Sequence, residues 1–118
     1  MRIIALFLYA FGLLLAQERE GSFDIRVEPT AKMQTGVQVP FTITVRDARH
    51  QPLPNAKVTL QIETKGGTDV KVFPAPGTEP GTYIAKPVFP HPDEWNVYVE
   101  VRRDNAMSAR TLQYQVSE

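Results

Sequence analysis

Imidazole and thioether side chains are the scarcest chemistry in this 118-residue sequence, which holds two histidines, three methionines and no cysteine. Apart from Met1, the donors are His50, His91, Met33 and Met107. Thioethers suit Cu(I), and imidazole suits copper, zinc and nickel, so copper is the metal that this set would take. His50 and His91 fall in separate proline-flanked segments. A shared centre therefore needs two loops to meet at one end of the fold, where Asp93 or Glu94 would add an oxygen ligand. No two donors have a local spacing such as His-x-Met, and the competing reading is four scattered surface side chains.

Other chemistries find less. A nucleophilic site needs a nucleophile, a base and an orienting group within hydrogen-bond reach. The serines Ser22, Ser108 and Ser117 lack a Gly-x-Ser-x-Gly context, and there is no glycine-rich phosphate loop and no His-Glu-x-x-His spacing. Asp93-Glu94 reads as an acid pair or simply as a solvated turn. The expectation is a protein that is not an enzyme. Without cysteine there are no disulfides, thiolate zinc sites or iron–sulfur clusters. Thirteen basic and thirteen acidic residues without long runs give no footprint for nucleic acid. For sugar stacking Tyr98 is the candidate, because it lies opposite the apolar face of its run, whereas Tyr114 lies on an apolar face.

These side chains must be held by elements, and the first segment is not one of them. Arg2 precedes a mostly apolar run, Ile3 to Ala16, followed by Gln17-Glu-Arg-Glu20. As a helix such a run reaches only about 21 Å, against roughly 30 Å for a bilayer core. A basic start, a short apolar stretch and a small residue before polar sequence read as a signal peptide over 1–16, cleaved after Ala16. An uncleaved anchor is the alternative. Cleavage removes Arg2, leaves residues 17–118 one charge negative, and leaves no membrane span. All ten prolines lie in that remainder, where each at a compatible site contributes about 0.4–1 kcal/mol by restricting the unfolded chain.

Period-two alternation dominates residues 17–118. Val37, Val39, Phe41, Ile43 and Val45 alternate with polar residues and Pro40. Val58, Leu60 and Ile62 do the same, as do Trp95, Val97, Val99 and Val101, then Leu112, Tyr114 and Val116. Successive strand side chains point to opposite faces, so each run places one face on a core. Weaker runs add strands at Phe23–Val27, Val70–Phe73 and Thr82–Phe89. Turn signals separate them: Gln51-Pro-Leu-Pro-Asn55, Gly66-Gly67, Pro76-Gly77, Pro80-Gly81, Pro90-His-Pro92 and Asp104-Asn105. About seven short strands at this spacing predict one all-β domain, an immunoglobulin-like antiparallel sandwich of two sheets.

Local features sharpen this. Pro80-Gly81-Thr82-Tyr83 has the Gly-x-Tyr spacing of a corner in which a tyrosine hydroxyl bonds upstream backbone in the same connection. Gly81 supplies the backbone freedom. Trp95 leads a valine run and suits the cover of one end of the core. Ala56 is small enough for close approach just before Val58.

On these residues the chain resembles a known family. Gln51-Pro-Leu-Pro-Asn-Ala-Lys-Val-Thr-Leu60, Pro80-Gly-Thr-Tyr83 and Trp95-Asn-Val-Tyr-Val-Glu-Val101 look like the YtkA-like domain family, which includes relatives of FixH, over roughly residues 22–102. The resemblance implies an extracytoplasmic sandwich, periplasmic or secreted, sometimes attached to membrane or metal-handling systems. Two departures weaken the metal implication. Glu94 stands where a glycine often precedes the tryptophan, and Gly66–Val72 lacks the methionine and histidine cluster of some members. The resulting expectation is an exported, non-enzymatic binding or scaffolding module of the bacterial envelope whose partner is another envelope protein. The alternative is a periplasmic accessory that handles copper. No motif spells out the partner or the oligomeric state.

Overall fold

A computed structural model of the chain describes residues 19–20 and 23–118. The expected leader, residues 1–16, lies outside the described residues. Two strands open the chain, β1 (Arg19–Glu20) and β2 (Asp24–Pro29), followed by β3 (Phe41–Arg46) and β4 (Lys57–Thr64). A short pair, β5 (Val70–Pro74) and β6 (Gly77–Glu79), leads into β7 (Thr82–Ala85). Two long strands, β8 (Asp93–Arg103) and β9 (Ala106–Val116), complete the fold. There is no helix among the described residues.

One sheet has the order β1-β9-β8-β4-β5 and the other β2-β3-β7-β6. All pairings between these strands are antiparallel except that of β1, which runs parallel to the start of β9 through Arg19 opposite Ala106 and Glu20 opposite Met107. Leaving β1 aside, β2-β3-β7-β6 has the order A-B-E-D of an immunoglobulin sandwich. The other sheet, β9-β8-β4-β5, has the order G-F-C with one strand added beyond C. The fold is the immunoglobulin-like sandwich that the alternation implied.

The long runs behave as their period requires. In β8 Trp95, Val97, Val99 and Val101 are fully buried, while Asn96, Tyr98, Glu100 and Arg102 are half-buried on the outer face. Phe41, Ile43 and Val45 of β3 and Leu60 and Ile62 of β4 meet them from both sheets. Each large aliphatic side chain enclosed this way stabilises the fold by roughly 1.5–3 kcal/mol. β-Branched residues predominate because they fit a pleated, packed surface.

The weaker runs depart from expectation. Val37 is 45% exposed and lies outside β3, which begins only after Pro40. Pro40 has no N–H for a ladder, and its carbonyl instead accepts from Thr30 N–H. The expected strand Thr82–Phe89 ends at Ala85, and Val39 N–H bonds the Pro87 carbonyl beyond it. β6 was missed. It is three residues long and wholly exposed, so no burial pattern marks it. Asp104, at φ 56°, closes the two-residue turn between β8 and β9.

Candidate functional site

Strand direction decides whether the four named donors meet. The β3–β4 loop carries His50, and Met107 lies beside the β8–β9 turn, both at the end where Lys57 pairs with Arg102. Met33 lies in the β2–β3 loop and His91 in the β7–β8 loop, at the end where Thr64 pairs with Trp95. The two histidines therefore sit at opposite ends of β4 and β8. An eight-residue strand such as β4 rises by roughly 25 Å. His50, His91, Met33 and Met107 do not assemble into one centre, and copper does not fit them as a four-donor set.

At the second end His91 has built surroundings. Its Nε2–H donates to Asp69 Oδ2 at 2.8 Å, across the sheet end from the β4–β5 turn. Its Nδ1 lies 3.3 Å from the Pro92 carbonyl and 4.0 Å from Asp93 Oδ2. Both nitrogens thus face acceptors, an arrangement that the imidazolium satisfies completely. The hydrogen bond to Asp69, followed by the Pro92 carbonyl, holds the His91 pKa above its ordinary value. The ring also lies 5.1 Å from Trp95, whose indole N–H donates to the His91 carbonyl at 3.1 Å. Trp95 is fully buried and meets Phe89 edge-on at 5.5 Å. The pattern of residues does not mark Asp69, because a sequence separation of 22 from His91 leaves no local signal. The turn that carries Asp69 is fixed by Thr64, which is buried and whose Oγ1 accepts from Thr68 N–H and Asp69 N–H.

The opposite end is tied by Tyr83. Its ring is buried and its hydroxyl donates to the Leu53 carbonyl at 2.7 Å and accepts from Ala56 N–H at 3.1 Å. The bond is to upstream backbone, as expected, but not within the same connection. Tyr83 lies on β7 and reaches across to the β3–β4 loop, so the local corner is replaced by a long-range tie. Ala56 is the donor of that tie rather than merely a small residue. Gly81, at φ +81°, packs against the same loop, and its carbonyl accepts from Val45 N–H. Within the loop the Asp47 carboxylate accepts from Arg49 and Gln51 N–H. The Gln51 bond above all keeps the Asp47 pKa below its ordinary value.

The outer face of the β9-β8-β4-β5 sheet carries Tyr98, whose hydroxyl donates to Glu100 Oε1 at 3.0 Å while Arg102 binds the other oxygen of the same carboxylate. Burial, then the bond to Glu100, pushes the Tyr98 pKa up. Tyr114 is half-buried and packs edge-on against Phe41 at 5.6 Å. A shallow groove of about 270 Å³ lies between the β3–β4 loop and β6, with Pro54, Glu79 and Pro80 in its walls. Among the described residues no group of three or more histidine and acidic side chains has the geometry to hold a metal ion. No helix there is long and apolar enough to cross a membrane.

No family model matches the chain, and no curated protein matches it. Among solved structures it is similar to the crystal structure of S. aureus TarS, at 12% identity and a TM-score of 0.44. That likeness covers 86% of this chain and 23% of the TarS chain.

Proposed function

We infer that the chain is an exported, non-enzymatic binding or scaffolding module of the bacterial envelope, of the YtkA-like kind its motifs resemble. The observation that supports this most is how the polar groups of its distinctive residues are used. The Tyr83 hydroxyl, the Trp95 indole N–H and the Thr64 hydroxyl each bond the chain's own backbone. Function then falls to the outer faces and edges of the sheets, which suit contact with another macromolecule. The partner is an envelope protein, and residues 1–16, a basic start and a short apolar run ending at Ala16, are the export signal.

Two measurements test this reading. Intact mass of the chain recovered from the envelope fraction is expected to begin at Gln17. A species retaining Arg2 argues for an anchor, and recovery from the cytoplasm alone overturns export. Titration with Cu(I) and Cu(II) under competition addresses the metal-handling alternative. Its best remaining donors are a pair, the His91 imidazole and the Asp69 carboxylate, harder than Cu(I) prefers. Stoichiometric binding that disappears in His50→Ala and His91→Ala would replace scaffolding with copper handling.

A further inference from the structure

The two sheets have four outer edges, and three are guarded against strand pairing. β2 alternates Asp24, Arg26 and Glu28 along its length and ends in Pro29. β5 turns Lys71 to the core-facing side, opposite the buried Ile62, and ends in Pro74. β6 is three residues long and flanked by Pro76 and Pro80. Charges, prolines and shortness are the usual means of blunting an edge. The fourth edge is β9 beyond its two-residue pairing with β1, and it has none of them from Thr111 to Val116, which reads Thr-Leu-Gln-Tyr-Gln-Val. Its one charge, Arg110, stands just before this stretch, on the core-facing side like Lys71 of β5, but its guanidinium is tied back to the other sheet by a bond to the Ile25 carbonyl at 2.7 Å.

The hydrogen-bonding parity of β9 follows from its hairpin. A two-residue turn makes Arg103 and Ala106 a hydrogen-bonded closing pair, and antiparallel pairs alternate from there. Ala109, Thr111, Gln113 and Gln115 then turn both backbone groups away from β8. Contacts at the two ends of the strand agree. Met107 meets β1 on that side, and Ser117 exchanges backbone bonds with Met33 and Thr35 there. Between these two covers no strand pairs with β9 among the described residues.

We propose that this edge pairs with the same edge of a second copy of the chain, antiparallel about a two-fold axis at Leu112. This register places Thr111 of one copy opposite Gln113 of the other, and Ala109 opposite Gln115. It is the register that engages the N–H and C=O of all four outward-turned residues. Leu112 faces its own equivalent in a non-hydrogen-bonded pair, where side chains approach most closely. Arg110 falls opposite Tyr114, a cation beside an aromatic ring, and no like charges oppose each other. Self-complementarity of this kind is what a two-fold interface requires. It favours a second copy over an unrelated strand, and it joins the β9-β8-β4-β5 sheets of two protomers into one continuous sheet. The pairing does not depend on where in the cell the chain works.

Sedimentation of the purified chain over a dilution series is expected to show a species of twice the single-chain mass. Gln113→Pro removes an outward N–H without touching the β8 ladder. It is expected to abolish the doubled species while leaving the unfolding midpoint close to that of the parent. Because the chain has no cysteine, Leu112→Cys reports the register directly. Oxidation is expected to cross-link it into a covalent dimer, whereas Gln115→Cys, far from its own equivalent in this register, stays single. A parent chain that is monomeric at every concentration overturns the proposal, even if the edge accepts some other strand. So does a dimer indifferent to Gln113→Pro, or cross-linking at Gln115 as efficient as at Leu112.

Discussion

Tyr83 and His91 use their polar atoms in opposite ways, one in the dry interior and one half in water. The Tyr83 hydroxyl serves a donor and an acceptor of the β3–β4 loop at once. Tyr83→Phe keeps the ring but strands the Leu53 carbonyl and the Ala56 N–H. Urea unfolding is expected to show a loss of about 1–3 kcal/mol, the penalty for buried polar groups left unpaired. An unchanged midpoint would mean that water replaces the hydroxyl and that the tie carries no stability. For His91 the sign follows from its raised pKa, set first by the bond to Asp69. Its stabilising contribution is fully present below the unfolded value of about 6.5 and is lost as pH rises through the higher folded value. Unfolding midpoints measured from about pH 6 to pH 8.5 are expected to fall with rising pH in the parent. The slope should flatten in Asp69→Asn, and equal slopes in the two proteins would remove the His91–Asp69 pair from the account.

Connections add their own ties to those that the strand ladders make. The β6–β7 turn and the β3–β4 loop touch at Gly81, where an added Cβ would come within 2.7 Å of Pro52 Cβ. The same residue has φ +81°, a conformation that costs an L side chain energy before any clash. Gly81→Ala is therefore expected to destabilise by more than about 1 kcal/mol, in contrast to the usual gain when alanine replaces glycine at a compatible site. A thermal melt equal to or above the parent's would show that the loop yields freely. The β4–β5 turn illustrates the same point with a hydroxyl. Thr64 is buried at the end of β4, yet its Oγ1 organises the backbone of Thr68 and Asp69 and so places the carboxylate that His91 meets.

At the scale of the whole molecule, Trp95 joins the core to the end that carries His91. Its indole is fully buried against Phe89, and its N–H is bonded to the His91 carbonyl. Trp95→Ala is expected to cost about 3–5 kcal/mol, a large share of the roughly 5–15 kcal/mol of a typical domain. Guanidinium unfolding showing less than about 1 kcal/mol lost would mean that the end of the sandwich collapses into the space left by the indole. The sequence by itself determined the all-β class, the long strands and the face of each that is buried. Alternation at Phe41–Val45, Val58–Ile62 and Trp95–Val101 is a local property, fixed by the two-residue period of the extended chain. It also marked Tyr83, Gly81, Trp95 and Ala56, because a lone tryptophan, a Gly-x-Tyr and a small residue before a strand are readable in one dimension. Only the tertiary structure decided what these residues meet. Tyr83 finds its partners 27 and 30 residues away, and His91 finds Asp69 across a sheet end. His50 and His91 are held apart because β4 and β8 lie between the loops that carry them. The short strand β6 has no buried face, so only its pairing with β7 defines it. Long-range pairing follows from how two sheets close over one core, and no spacing along the chain encodes that distance.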